Sequence, residues 1–346
     1  MSETVPSPTE MPPSETPVER RGLPPVWLLV AKVLFSLGLF AFLFTRMPFE
    51  HVEATLRSAD WGGLLAACAV LFASNVLGAW QWHHLLRAVD IKIPFVKVLL
   101  YYHVGLFFNN FLPANIGGDI ARVMDASRYG QTRATAVSTV VLDRIIGTVA
   151  LAGLAVVTTV PAIDRFHFGV LYVALLGFLC ISVLMLWGVL HPRVLPAIER
   201  ALSRIGLRFL KPHLDELATR LAAYRERGRL FAGLLVLATF VQLLRVCVHV
   251  LVGRALGIHL PVAYFFLFVP LLAVIVSLPI SLNGIGVREG AGMLLFGLVG
   301  VDRTHAFSLQ FTTYLVAVAV SLLGALVVLI RTPHRAMQAR ELRRSS

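Results

Sequence analysis

The sequence predicts an all-α polytopic membrane bundle of about six full spans plus two broken or re-entrant helical hairpins, compatible with an inverted repeat. Three observations predict it. Of the 346 residues 57% are hydrophobic and only 14% charged, with a mean hydropathy of +0.78, far from the averages of soluble domains. Apolar runs at 26–45, 62–80, 140–160, 168–190, 229–252 and 305–330 each approach the ~20 residues that cross a hydrocarbon core. Two further apolar regions, 95–130 and 261–300, are interrupted by helix breakers, amides and charges.

Residues 1–24 are rich in Pro, Ser, Thr and Glu and nearly devoid of large apolar side chains, the composition of a disordered tail. An acidic tail ahead of a full-length apolar run is not a secretory signal, which starts basic and carries a shorter apolar stretch. Lys32 lies about two turns into the first span, within snorkelling reach of the interface. Trp27, Trp61, Trp80, Trp82 and Trp187 fall near span ends, where interfacial indoles belong. Cys68, Cys180 and Cys247 occupy three separate apolar segments with no CxxC pair and read as small buried hydrophobes.

The net charge of +12 is concentrated at one membrane face. Arg193, Arg200, Arg204, Arg208, Lys211, Arg220, Arg225, Arg227 and Arg229 fill the loop 191–229, and Arg331, Arg335, Arg340, Arg343 and Arg344 fill the tail that includes 332–346. Positive-inside bias makes both segments cytoplasmic, and no aromatic-basic motif or nucleic-acid fold signature supports nucleic-acid binding. Within the loop, Leu195, Ile198, Leu202, Ile205 and Phe209, then Leu214, Leu217, Leu221 and Tyr224, recur at steps of three and four. This amphipathic stripe seats one or two helices on the membrane surface or under the bundle.

With both termini and the loop cytoplasmic, the crossings can be counted. The segment 81–97 returns to the cytoplasm and the span at 140–160 starts there, so 98–135 must enter and leave on one side. Pro113 and the Gly117-Gly118 pair supply the turn. The region 261–300 is bracketed by the opposite face, and its interruption at Pro279, Asn283, Gly284 and Gly286 makes it a second, oppositely directed hairpin. The alternative is two proline-kinked spans. Oppositely oriented broken hairpins meeting near the midplane match the logic of secondary transporters, and non-helical backbone at that depth must be shielded by protein or line a watery cavity.

The candidate binding residues cluster at these interruptions: Asn109, Asn110, Asn115, Gly117, Gly118, Asp119 and Arg122 in the first, and Asn283, Arg288 and Glu289 in the second. The asparagines suit a sugar or phosphate oxygen, or satisfy broken-helix backbone. Asp119 and Arg122 share a helix face and can pair, or the helix N-terminus with Arg122 can meet an anion. Asp143 and Arg144 point about 100° apart as helix neighbours, so each needs a partner elsewhere, with Asp119, Arg122, Arg288 and Glu289 available. Gln242, Arg245 and His249 form a polar stripe in an apolar span. A guanidinium at Arg245 must face the bundle or a wet cavity, where a phosphate is a natural partner.

No HExxH or Cys/His cluster, no GxxxxGK[ST] loop and no GxSxG element occurs, so neither a metal, a cofactor nor a catalytic residue is assigned.

Taken together, the residues of 109–122, the run Asp143-Arg144-Ile145-Ile146-Gly147 and the residues of 278–290 resemble the transmembrane region of bacterial lysylphosphatidylglycerol synthases, a flippase-like family. The resemblance covers nearly all of 25–331. It implies a multi-pass protein of the bacterial inner membrane, related to the lipid-flipping half of aminoacyl-phosphatidylglycerol synthases and to proteins of hopanoid or glycolipid handling. The bifunctional members carry a cytosolic aminoacyl-transferase domain that is not seen here, so lipid lysinylation is not expected of this chain. The resulting expectation is a translocase for an anionic or polar-headgroup membrane lipid (phospholipid, glycolipid or hopanoid type), equilibrative or ion-coupled. The alternative is a membrane-embedded lipid-modifying transferase, or a subunit presenting lipid to a partner enzyme. A homo-oligomer stays open.

Overall fold

The computed structural model describes residues 57–111, 117–129, 132–166, 169–191, 194, 200, 224, 227–277, 284 and 286–344. The tail 1–24, the first expected span with Trp27 and Lys32, and nearly all of the amphipathic loop lie outside them, as do the interruption residues Pro113, Asn115, Pro279 and Asn283. The described chain forms α1 (Trp61–Ala88), α2 (Phe95–Phe111), α3 (Gly117–Ala126), α4 (Arg133–Thr159), α5 (Gly169–Leu190), α6 (Gly228–Ala255), α7 (Val262–Ser277), α8 (Val287–Gly297) and α9 (Arg303–Arg344), with a short 3-10 and helical turn joining α4 to α5. No strand occurs among these residues.

Among the described residues five helices are long and apolar enough to cross a membrane: α1, α4, α5, α6 and the Arg303–Ile330 part of α9. They coincide with the five expected spans that fall within the described residues. Their starts follow local chemistry. The Asp60 carboxylate accepts from the backbone N–H of Gly62 and Gly63, at 3.0 Å each, and the Thr132 hydroxyl accepts from Thr135 N–H, so each caps donors that have no intrahelical partner. At α5 the apolar residues point outward, with Val170 89% exposed and Val173 and Leu184 also exposed, as in a helix facing lipid. Cys180 is exposed on this helix, which is peripheral and covers little, and Cys68 and Cys247 are only partly buried, which corrects the expectation that all three cysteines are buried.

α1 runs eight residues past the expected span end because Trp82, Leu85 and Leu86 are wholly buried. Trp82 is therefore not an interfacial anchor. Its indole N–H donates to the Thr139 hydroxyl at 3.0 Å, satisfying the one polar group that burial of a tryptophan would strand.

The two interrupted regions are hairpins. α3 has ten residues, about 15 Å at 1.5 Å per residue, half of what a bilayer core requires. It lies antiparallel to α2: Asn109 meets Gly118 near the tip, while Gly105 meets Arg122 one turn lower. At the base, Lys97 Nζ donates to the Tyr129 hydroxyl at 3.3 Å, so the hairpin enters and leaves at one level. α7 and α8 repeat the arrangement, Phe265 and Phe268 at the start of α7 packing at steep ring angles against Phe296 at the end of α8, with ring centroids 5.5 and 5.4 Å apart. Gly284 and Gly286 occupy the interruption with φ of 76° and 79°, a region that residues with a Cβ avoid.

Asp60 N–H donates to the Ala255 carbonyl at 2.8 Å, so the start of α1 meets the end of α6 and the two cross antiparallel. The order span, hairpin, span in α1, α2–α3, α4 is thus repeated with opposite direction in α6, α7–α8, α9. The hairpins enter from opposite ends, and Asn110 on α2 and Arg288 on α8 both meet Tyr314. Each has its own apolar cluster, one around Trp82, Val98, Tyr102 and Ala136, the other around Phe265, Phe268 and Phe296. Lipid is as apolar as these side chains, so close contact rather than escape from water holds them together.

Contact is closest where α2 meets α3. A Cβ on Gly118 would sit 2.0 Å from the Gly105 carbonyl oxygen, and backbone cannot rotate away as a side chain can. Gly118→Ala is expected to cost at least the ~1–3 kcal/mol of ordinary overpacking, read as a lowered thermal midpoint in detergent. An unchanged midpoint would show that the hairpin tolerates separation of its two arms.

Candidate functional site

A cavity of about 710 Å³ lies between the two hairpins, lined by residues of both. Hairpin one contributes Asn109, Asn110, Asp119 and Arg122, α4 contributes Asp143 and Arg144, α6 contributes Gln242, Arg245 and His249, and the second hairpin contributes Arg288. Ten of the residues singled out from sequence are thereby brought to one cavity: Asn109, Asn110, Asp119, Arg122, Asp143, Arg144, Gln242, Arg245, His249 and Arg288. Gly117, Gly118 and Glu289 are not part of the lining. Gly118 is consumed by helix contact, its N–H donating to Asn109 Oδ1 at 2.9 Å, and Gly117 begins α3 beside it. Glu289 is 2% exposed and its carboxylate accepts from Gly286 N–H at 2.7 Å, closing the start of α8 as a capping glutamate does. Asn115 and Asn283 lie outside the described residues.

The adjacent charges of α4 find their partners across the bundle. Arg122 Nη2 donates to Asp143 Oδ2 at 2.7 Å, with both side chains under 10% exposed, and Gln81 Nε2 donates to the other carboxylate oxygen at 2.8 Å. The Arg122 guanidinium also sits over the Trp82 and Tyr102 rings, 4.3 and 4.9 Å from their centroids. Flat, delocalised and weakly hydrated, a guanidinium suits such aromatic faces better than an ammonium. Arg144 forks onto Asp119, with Nε donating at 3.0 Å and Nη2 at 2.8 Å. That pair is wetter, the Arg144 side chain being half exposed. Asp119 lies 3.8 Å from Arg122 as well, so the i, i+3 pairing expected from sequence exists but is the weaker contact.

The stripe on α6 faces the same cavity. Gln242 Nε2 donates to the Gly147 carbonyl at 3.2 Å and its Oε1 accepts from Arg245 at 3.4 Å. His249 is anchored through Nδ1 to the Arg245 carbonyl at 2.9 Å. Arg245 lies ten residues before the end of α6, roughly 15 Å along the axis. Bare cations are costly at such depth.

Sequence reading missed Gln81, Tyr102 and Tyr314. Tyr314 is the most consequential, because its hydroxyl donates to the Asn110 carbonyl across 3.5 Å while the Arg288 guanidinium lies 4.7 Å from its ring centroid. One phenol thus touches both hairpins. A tyrosine in an apolar run carries no periodic signal, whereas Gln81 would have been visible had the first described span been extended to its charged end.

Among the described residues the lining holds four arginines against two aspartates. Chemically it offers guanidinium and amide donors to an anion or to a hydroxylated group.

One curated relative, the UPF0104 membrane protein PH1989 of Pyrococcus horikoshii, is 28% identical over 118 residues, which is 33% of this chain and 35% of that protein. The match therefore spans about a third of the relative's length. A family model described as lysylphosphatidylglycerol synthase TM region matches residues 29–325, taking in both hairpins and all but the end of the last span, and the chain belongs to that family.

Proposed function

We propose that this protein moves a lipid with an anionic or polar headgroup between the leaflets of the inner membrane, with its termini and the basic loop 191–229 in the cytoplasm. The cavity between the two hairpins supports this reading above all, because it places surplus guanidinium charge among spans that otherwise face lipid. A headgroup crossing hydrocarbon unaided loses its hydration. Charged hydrogen bonds from Arg245 and Arg288 replace part of that shell while the acyl tails stay outside, and the broken helices add the ends of their backbone ladders. Asn109, Asn110, Asp119, Arg122, Asp143 and Arg144 shape the wall, the paired ones chiefly by holding α3 and α4 in register.

The test is reconstitution of the purified protein in phosphatidylcholine vesicles doped with either phosphatidylglycerol or phosphatidylcholine labelled on an acyl chain, with the outer leaflet bleached by a membrane-impermeant reductant. The expected result is exchange between leaflets above the protein-free rate, faster for the phosphatidylglycerol probe, with no donor added. Absence of exchange overturns the reading, and a covalently altered lipid would place the protein among lipid-modifying enzymes instead.

A further inference from the structure

Gln310 is wholly buried on α9, and neither its amide nitrogen nor its amide oxygen has a hydrogen-bond partner among the described residues. An amide left so in a protein interior detracts from stability, since its desolvation is not offset. Such a residue calls for an explanation other than support of the fold.

Its position supplies one. Tyr314 and Ala317 line the cavity, and Gln310 lies one turn before Tyr314 on the same face of α9, as i, i+4 spacing requires. Across from it, Gly292 lies one turn after Arg288 on α8. A Cβ at Gly292 would stand 2.4 Å from Gln310 Cγ and 2.9 Å from Cδ, so the missing side chain makes the room that the amide occupies. The contact between Arg288 and Tyr314 and the contact between Gly292 and Gln310 are therefore successive layers between α8 and α9. One further turn along α8 stands Phe296, locked against Phe265 and Phe268. The unsatisfied amide sits between the floor of the cavity and the aromatic layer that closes the bundle toward the Asp60 end.

We infer that Gln310 is a station on the translocation path beyond the cavity, reached when Arg288 and Tyr314 part. There its Nε2–H donates to a phosphate or hydroxyl oxygen of the headgroup and its Oε1 accepts from a headgroup hydroxyl. This rests on the transport reading above and extends it by a headgroup-binding residue outside the cavity lining. An amide serves such a station better than a charge, because it can release the headgroup as readily as it receives it.

The experiment compares wild type, Gln310→Leu and Gln310→Asn in the vesicle assay with acyl-labelled phosphatidylglycerol, alongside thermal unfolding in detergent. Leucine matches the volume and removes the stranded polar atoms. The expected result is a thermal midpoint equal to or above wild type together with exchange slowed about tenfold, the effect of losing a hydrogen bond worth ~1.4 kcal/mol, with asparagine recovering most of the rate. A leucine variant that exchanges at the wild-type rate overturns the inference and leaves the transport reading intact. One that unfolds or melts lower shows the amide to be structural and overturns it too. Wild type that fails to exchange lipid removes the reading on which the inference stands.

Discussion

Arg245→Leu is expected to slow exchange of acyl-labelled phosphatidylglycerol by about tenfold to a hundredfold while the protein remains folded. The size follows from the ~1.5–3 kcal/mol that a hydrogen bond to a charged group contributes and from tenfold per ~1.4 kcal/mol. Among the cavity arginines this one isolates the effect best. Arg122 and Arg144 are tied to Asp143 and Asp119, so replacing either strands a carboxylate. Arg245 contacts Gln242 at 3.4 Å, a marginal hydrogen bond, and its loss leaves an amide still bonded to the Gly147 carbonyl. The thermal midpoint should move little. Exchange at the wild-type rate by a folded Arg245→Leu protein would remove Arg245 from the headgroup site.

Asp143→Leu is expected to give the largest loss of stability, about 3–5 kcal/mol, the usual consequence of breaking one side of a buried ion pair. Arg122 would be left between two aromatic faces with its nearest carboxylate 3.8 Å away on Asp119, and the Gln81 amide would lose its acceptor. The companion variant Arg122→Met/Asp143→Leu removes both charges and should recover much of the loss, since a well-filled apolar pair is often no worse than the ion pair it replaces. Thermal unfolding of the single and double variants in detergent measures both effects. Equal midpoints for Asp143→Leu and wild type would mean that water reaches Arg122 freely and that the pair is not sealed.

Much of this was legible in the sequence, for reasons that differ by element. Spans announce themselves by length alone, because lipid forces every backbone group into a helix. The first hairpin follows from crossing arithmetic around Pro113 and Gly117-Gly118, without any tertiary information. Asp143 and Arg144 show by adjacency that each needs a distant partner, but not which one. Arg122 over Arg288 as the partner of Asp143 depends on how α3 lies against α4, which single-residue spacing does not reveal. Glu289 was misleading because a carboxylate in an apolar region reads as a site, and only three-dimensional placement shows it turned back on the Gly286 N–H. Gln310 and Tyr314 escaped notice because single polar residues within a long apolar run leave its period unchanged.

The unequal fastening of the hairpins has a mechanical consequence. α3 is riveted to α4 by directional contacts, two guanidinium–carboxylate pairs whose strength decays sharply with misalignment. α8, whose glutamate is committed to its own first turn, is fastened by the Arg288 guanidinium over the Tyr314 ring, by close packing of Gly292 on Gln310 and by Phe296 against Phe265 and Phe268. Sliding α3 along α4 would break both charged pairs at once, so the first hairpin is expected to hold its place against that span.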